Sequence, residues 1–170
     1  MAKLFDLIKA DNFNDENKDD TQALHNLNVF LTRLLFCFFA EDTGIFKQNQ
    51  FSGELESHTK VDGSDVAEYL NRLFEVLNTP KDKRADLPDY LANFEFVNGG
   101  LFADNIQSPK FSTKSRKMLI ESGSELDWSN INPDIFGSMI QAVVHPDQRD
   151  GMGMHYTSVT NIMKLIEPLF

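Results

Sequence analysis

One cysteine in 170 residues leaves no room for a disulfide framework or a multi-cysteine metal centre. That residue, Cys37, stands inside the apolar run LLFCFF, where a thiol behaves as a small buried hydrophobe rather than a nucleophile. Positive charge is also scarce: 16 Lys and Arg face 26 Asp and Glu, for a formal net charge of −10. A field of that sign repels phosphate, so DNA binding by this stretch alone is expected to be weak or absent. No apolar run reaches the roughly 20 residues of a membrane-spanning helix, and the start, MAKLFDLIKA, lacks a secretory apolar core. These absences set the expectation of a protein of the reducing cytoplasm with no membrane partner. Tryptophan is single and tyrosine threefold, whereas phenylalanine reaches 15, so the core should be filled by Phe on helix faces.

What is present repeats at helical spacing. Leu4, Phe5, Leu7 and Ile8 predict a short first helix, followed by a polar run, Asp11 to Asp20, that reads as a solvated loop. Leu24, Leu27, Phe30, Leu31, Leu34, Leu35, Phe38 and Phe39 predict the central core helix, from about Thr21 to Ala40, with Gln22, Asn26 and Arg33 facing elsewhere. Gly44 is its expected left-handed stop. Glu41 and Asp42 sit at the negative end of that helix dipole, as surface acids or opposite a cation such as Arg149. Residues 45–61 have no clear period and read as a loop or short hairpin around Phe46 and Phe51. A helix from Asp65 to Leu77 should open on an Asp65–Glu68 capping box and stop at Thr79-Pro80. Asn98-Gly99-Gly100 predicts a tight turn in a small hairpin or an extended segment. Ser112 or Thr113 starts a helix that runs to Ser122 and is capped near Gly123, and Asn132-Pro133 starts another, with Ile135, Phe136, Met139, Ile140 and Val143 on one face. The fold class is mainly α: an irregular helical bundle with room for one small β-hairpin.

Chemistry is sparse in this part of the chain. Pro88-Asp89 and Glu95 resemble a divalent-metal nuclease pattern, but Val97 stands where that chemistry needs a lysine. His25, His58, His145 and His155 have no His or Cys partner at ligand spacing, so neither a catalytic nor a metal residue is assigned. Gly151-Met152-Gly153 has no third glycine and no preceding strand, which excludes a dinucleotide fingerprint. Lys110, Lys114, Arg116 and Lys117 form the densest cationic cluster, either a solvated helix face or a local contact with the DNA backbone.

The last two dozen residues, HPDQRDGMGMHYTSVTNIMKLIEPLF, read as a glycine-loosened loop entering a helix. Thr157 or Ser158 can cap that helix, leaving N–H groups for a carboxylate-bearing ligand, or the element is an ordinary capped helix. Two segments, NVFLTRLLFCFFAEDTGIF (Asn28 to Phe46) and INPDIFGSMIQAVVHPDQRDGMGMHYTSVTNIMKLIEPLF (Ile131 to Phe170), resemble the MmeI-like family of large bacterial DNA methyltransferases, many of them fused restriction-modification enzymes. NGGLF (Asn98 to Phe102) is a weaker third match.

The resemblance implies a helical spacer or connector over residues 1–144 and the truncated edge of an S-adenosylmethionine-dependent methyltransferase domain over residues 145–170. It implies that His155, Tyr156, Thr157 and Ser158 border the methionine end of the cofactor site. The intact protein would be an adenine-N6 DNA methyltransferase acting on double-stranded DNA and linked to an N-terminal nuclease-like region. The glycine-rich cofactor loop and the Asn-Pro-Pro-aromatic motif that grips a flipped base are absent from this stretch, so the piece should neither methylate DNA nor hold S-adenosylmethionine by itself. Val159, Ile162, Met163 and Ile166 would form an apolar helix face open to self-association. The competing reading is a freestanding acidic helical interaction module.

Overall fold

The computed structural model describes residues 2–14, 20–97 and 99–131. The expectations for the Asn132-Pro133 helix, for Arg149 and for the C-terminal helix lie outside the described residues. Six α-helices are described: α1 (Ala2–Asn12), α2 (Thr21–Asp42), α3 (Gln50–Ser57), α4 (Val66–Asn78), α5 (Asp89–Ala92) and α6 (Thr113–Ser124). Short 3-10 turns stand at Lys81–Lys83, Gly100–Phe102 and Trp128–Asn130, and no strand occurs among the described residues. The fold is mainly α: residues 50–57 are helical rather than loop or hairpin, and residues 95–97 belong to no regular element, as the extended alternative expects.

α2 is the axis of the packing. Asp20 caps it by accepting from the N–H groups of Gln22 (2.9 Å) and Ala23 (3.1 Å), and Gly44 turns the chain away with a φ of +79°. Its buried residues, including Leu27, Phe30, Leu34, Cys37, Phe38 and Ala40, point in several directions, so the helix is covered on more than one side. By length and composition α2 could cross a membrane, contrary to the reading of the bare sequence, but 56% of its most apolar window is buried against the rest of the domain. Phenylalanine does fill the core. Phe38 meets Phe51 edge-on at 5.2 Å and stacks on Trp128 at 5.3 Å, and Phe46 meets Phe94 edge-on at 5.1 Å.

Two elements differ from expectation because their ends are tied by distant residues. Residues 50–57 are helical, and Glu41 supplies the missing cap: its Oε1 accepts from the N–H groups of Phe51 (2.7 Å) and Ser52 (3.1 Å). Glu41 is therefore a buried cap for a neighbouring helix and not a surface acid. Asp42 Oδ2 likewise accepts from the Trp128 N–H at 2.6 Å. The start of the polar run is not solvated loop either. Asp11 Oδ2 accepts from Ser112 N (3.1 Å), Ser112 Oγ (2.8 Å) and Ser115 Oγ (2.6 Å), and the Asn12 side chain pairs with both backbone groups of Lys110 at 2.8 Å. These bonds fasten α1 to α6.

The capping box at Asp65 does not form, because Asp65 Oδ1 accepts from the Lys60 N–H at 2.7 Å instead. A capping box does form at Ser112, with Ser115 as its partner. Gly123 is not the end of α6 but lies within it. It is glycine because a Cβ there would come within 2.8 Å of Phe38 Cε1.

Candidate functional site

Arginine carries much of the local architecture. Arg33, expected outside the core, is only 2% exposed. Its Nε donates to the Leu101 carbonyl (2.8 Å) and its Nη2 to the Asp104 carbonyl (2.7 Å). The guanidinium lies between the rings of Phe74 and Phe102, at 5.6 and 5.7 Å from their centroids. Burial lowers its pKa, and the nearby Asp104 carboxylate pulls the other way. Arg84 makes a similar clamp, donating to the carbonyls of Thr79, Ala92, Phe94 and Val76, and so holds the 79–94 segment against α4. A planar fork with five donors suits such multi-carbonyl sites, where lysine would reach fewer.

The cationic cluster divides. Arg116 is buried, and donates to Thr59 Oγ1 (3.0 Å) and to the carbonyls of Glu56 (2.9 Å) and Thr59 (3.1 Å), closing the end of α3. It is withdrawn from any phosphate contact. Lys110, Lys114 and Lys117 remain exposed, with Lys117 3.4 Å from Glu121 on the same helix. The nuclease-like trio is also dispersed. Pro88-Asp89 opens the α5 turn, and Glu95 pairs with Lys81 at 2.6 Å. Among the described residues no group of three His, Cys, Asp or Glu could hold a metal ion. Cys37 is fully buried, and burial first, then Glu41, pushes its thiol pKa well up, which keeps it inert.

Three clefts open between these elements. One, of about 520 Å³, separates α4 from residues 103–107, with Arg33 among its lining and Glu68, Asn71, Arg72 and Glu75 along one wall. A second, of about 180 Å³, is lined by His58, Asp65, Glu68, Tyr69, Arg72, Tyr90 and Leu91. The third, of about 550 Å³, is acidic, with Glu41, Asp42, Glu125 and Asp127 around it. His155, Tyr156, Thr157 and Ser158 lie outside the described residues. The aromatic and amide groups of the first two clefts come mostly from α4, with His58 after α3, Tyr90 in α5, and Phe102, Asn105 and Gln107 from the segment after α5.

The described residues form a helical bundle clamped by the buried or half-buried guanidinium groups of Arg33, Arg84 and Arg116. Residues 25–102 match the family model described as MmeI, helicase spacer domain. Over all 170 of its residues the chain is 50% identical to DNA methyltransferase A of Bacillus subtilis (strain 168), and covers 18% of that protein. It also superposes on the solved structure of the type IIL restriction-modification enzyme MmeI in complex with DNA. That match has a TM-score of 0.69 at 43% identity, and covers 99% of this chain and 21% of the other. Residues 25–102 of the chain carry the MmeI-type spacer domain, and the whole chain is homologous to these methyltransferase and restriction-modification proteins. It spans about a fifth of the length of these relatives, 18% of one and 21% of the other.

Proposed function

We propose that this chain is the helical spacer of a cytoplasmic, S-adenosylmethionine-dependent DNA adenine-N6 methyltransferase of a restriction-modification system. It holds an N-terminal nuclease-like region at a set distance from the methyltransferase domain and has no catalytic role of its own. The observation that carries the reading is the likeness along the whole chain to a DNA methyltransferase and to a DNA-bound restriction-modification enzyme. The packing is consistent with it. The Asp11–Ser115 and Asn12–Lys110 bonds join helices about a hundred residues apart in sequence, separations of 104 and 98, and a stiff body sets a fixed spacing where a flexible linker sets only a distribution.

In the intact protein, by family resemblance, His155, Tyr156, Thr157 and Ser158 border the methionine end of the cofactor, and double-stranded DNA is the substrate. Lys110, Lys114 and Lys117 are the candidates for contact with its phosphates. The test uses the full-length protein with labelled S-adenosylmethionine and duplex DNA. Label recovered on adenine N6 supports the assignment, and DNA that stays unlabelled overturns it. Loosening the spacer with Asp11→Ala and Asn12→Ala should leave methyl transfer intact and broaden the position of any cleavage. Neutralising the three lysines should reduce the salt dependence of DNA affinity, by a slope of about 0.9 for each phosphate that a lysine no longer neutralises.

A further inference from the structure

α2 carries a second stripe beside the one that builds the core. Val29, Thr32, Phe36 and Phe39 follow at steps of three, four and three residues, the spacing of a helix–helix seam. The described elements meet α2 mainly on its other sides. α3 and the Trp128–Asn130 turn reach it at Phe38, α4 and Phe111 at Phe30, and the Gly100–Phe102 turn at Arg33. Phe36 alone turns partly inward, edge-on to Phe46 at 6.3 Å and to Phe102 at 5.7 Å. Yet the stripe is sheltered. Val29 is 3% and Thr32 2% exposed, and Phe36 and Phe39 are half-buried, although Val29 stands outside the continuous core that joins Phe30, Leu34 and Phe38. The Thr32 hydroxyl donates to the Asn28 carbonyl at 2.9 Å, so its polar group is satisfied within the helix.

We propose that this stripe is a docking seam for the chain's own segment Ile135 to Val143, seated antiparallel on α2. Three observations select that occupant. Ile135, Phe136, Met139, Ile140 and Val143 recur at helical spacing, so the segment matches the seam in period. It also arrives at the correct end. Asp42 Oδ2 accepts from the Trp128 N–H at 2.6 Å, and the Ile131 N–H donates to the Trp128 carbonyl at 3.2 Å, so the chain leaves residue 131 beside the C-terminal end of α2. From there it can follow α2 only towards the N-terminus, which sets Phe136 near Phe39 and Val143 near Val29. The lengths agree as well: Ile135 to Val143 rises about 12 Å and Val29 to Phe39 about 15 Å. A second copy would compete with a tethered segment whose effective concentration is on the order of millimolar. The docking ties residue 143 to the central helix, two residues before the methyltransferase edge expected at 145. That consequence rests on the spacer reading, and the docking itself does not.

The test introduces cysteine pairs into the full-length protein, oxidises them mildly, and maps the bridges by peptide mass in protein that elutes as the wild type does. Phe39→Cys should bridge to Phe136→Cys and not to Val143→Cys. Val29→Cys should bridge to Val143→Cys and not to Phe136→Cys, since Cα atoms more than about 7 Å apart cannot be joined. Phe136→Asp supplies a second measurement: hydrogen exchange should rise at the amides from Val29 to Thr43 and stay unchanged in α4. Absence of both expected bridges would overturn the docking, and so would exchange that Phe136→Asp leaves unaltered. Bridges formed only between molecules would give the seam to a second copy, and the opposite pairing would overturn the antiparallel seating. Failure of the unsubstituted protein to methylate DNA would overturn the spacer reading and leave the bridging result standing.

Discussion

Arg33 Nε donates to the carbonyl of Leu101 at 2.8 Å, inside the core and across 68 residues of sequence. The same guanidinium reaches the Asp104 carbonyl and fills the space between Phe74 and Phe102, so one side chain joins α2, α4 and the 3-10 turn at Gly100–Phe102. Arg33→Ala should remove both bonds and leave a cavity, with a loss of about 3–5 kcal/mol in urea unfolding. Arg33→Lys keeps the charge but not the fork. It should recover only part of that loss.

Gly63 adopts a φ of +81°, and a Cβ there would come within 2.8 Å of the Ser112 carbonyl oxygen and 2.9 Å of the Phe111 one. Both obstacles are backbone, so neither can step aside. Gly123 faces the Phe38 ring at a similar distance, 2.8 Å, but in ordinary helical geometry. Gly63→Ala should therefore destabilise by about 2–4 kcal/mol, through strain and clash together. Gly123→Ala should cost about 1–3 kcal/mol, reduced by whatever the Phe38 ring can yield. Thermal melts of the two variants should rank them in that order.

Glu41 makes the fold sensitive to pH. Burial raises its pKa, the hydrogen bonds from Ser52 and Phe51 oppose the rise, and the neighbouring Asp42 adds to it. A carboxyl whose folded pKa lies above its unfolded value binds its proton more tightly in the native state. Its contribution is present in full below the ordinary glutamate pKa and is lost as pH rises through the raised value. Stability should thus decline across the interval just above the ordinary glutamate range, and Glu41→Gln should flatten that decline. Glu41→Ala leaves the Phe51 and Ser52 N–H groups without their acceptor, and should cost about 2–4 kcal/mol below the ordinary glutamate pKa and less above the raised one. Denaturant midpoints measured across the acidic range distinguish the three proteins.

Tyr69→Phe tests a buried hydroxyl that has no hydrogen-bond partner among the described residues. Removing a buried polar group that has no partner should be neutral or should stabilise by about 1 kcal/mol. A loss of stability instead would mean that the hydroxyl is hydrogen-bonded in solution. Chemical denaturation of both proteins reads the difference.

Much of the framework was legible from periodicity. α2, α4 and α6 begin within a residue of where their apolar stripes and caps place them, and Gly44 takes the predicted left-handed turn. α3 was missed because it has only eight residues, and because Glu41, nine residues before its first residue, supplies its cap. The Asp65 box failed because a closer donor, the Lys60 N–H, captured the carboxylate. Arg33 and Arg116 were misplaced for a single reason: a sequence pattern counts a guanidinium as polar surface and cannot show that unpaired carbonyls await it inside. The second cleft had no sequence signal, since its residues come from three separate stretches.

By itself the sequence determined the class of fold, because hydrophobic periodicity and helix caps act between near neighbours and are written in the order of residues. Through the segments Asn28 to Phe46 and Ile131 to Phe170 it also determined the resemblance to the MmeI-like methyltransferases. Only the tertiary structure decided which charged side chains serve the core and which meet solvent. That choice depends on where unpaired backbone groups come to rest after the helices pack, and the carbonyls that claimed Arg33, Arg84 and Arg116 belong to segments brought there by folding.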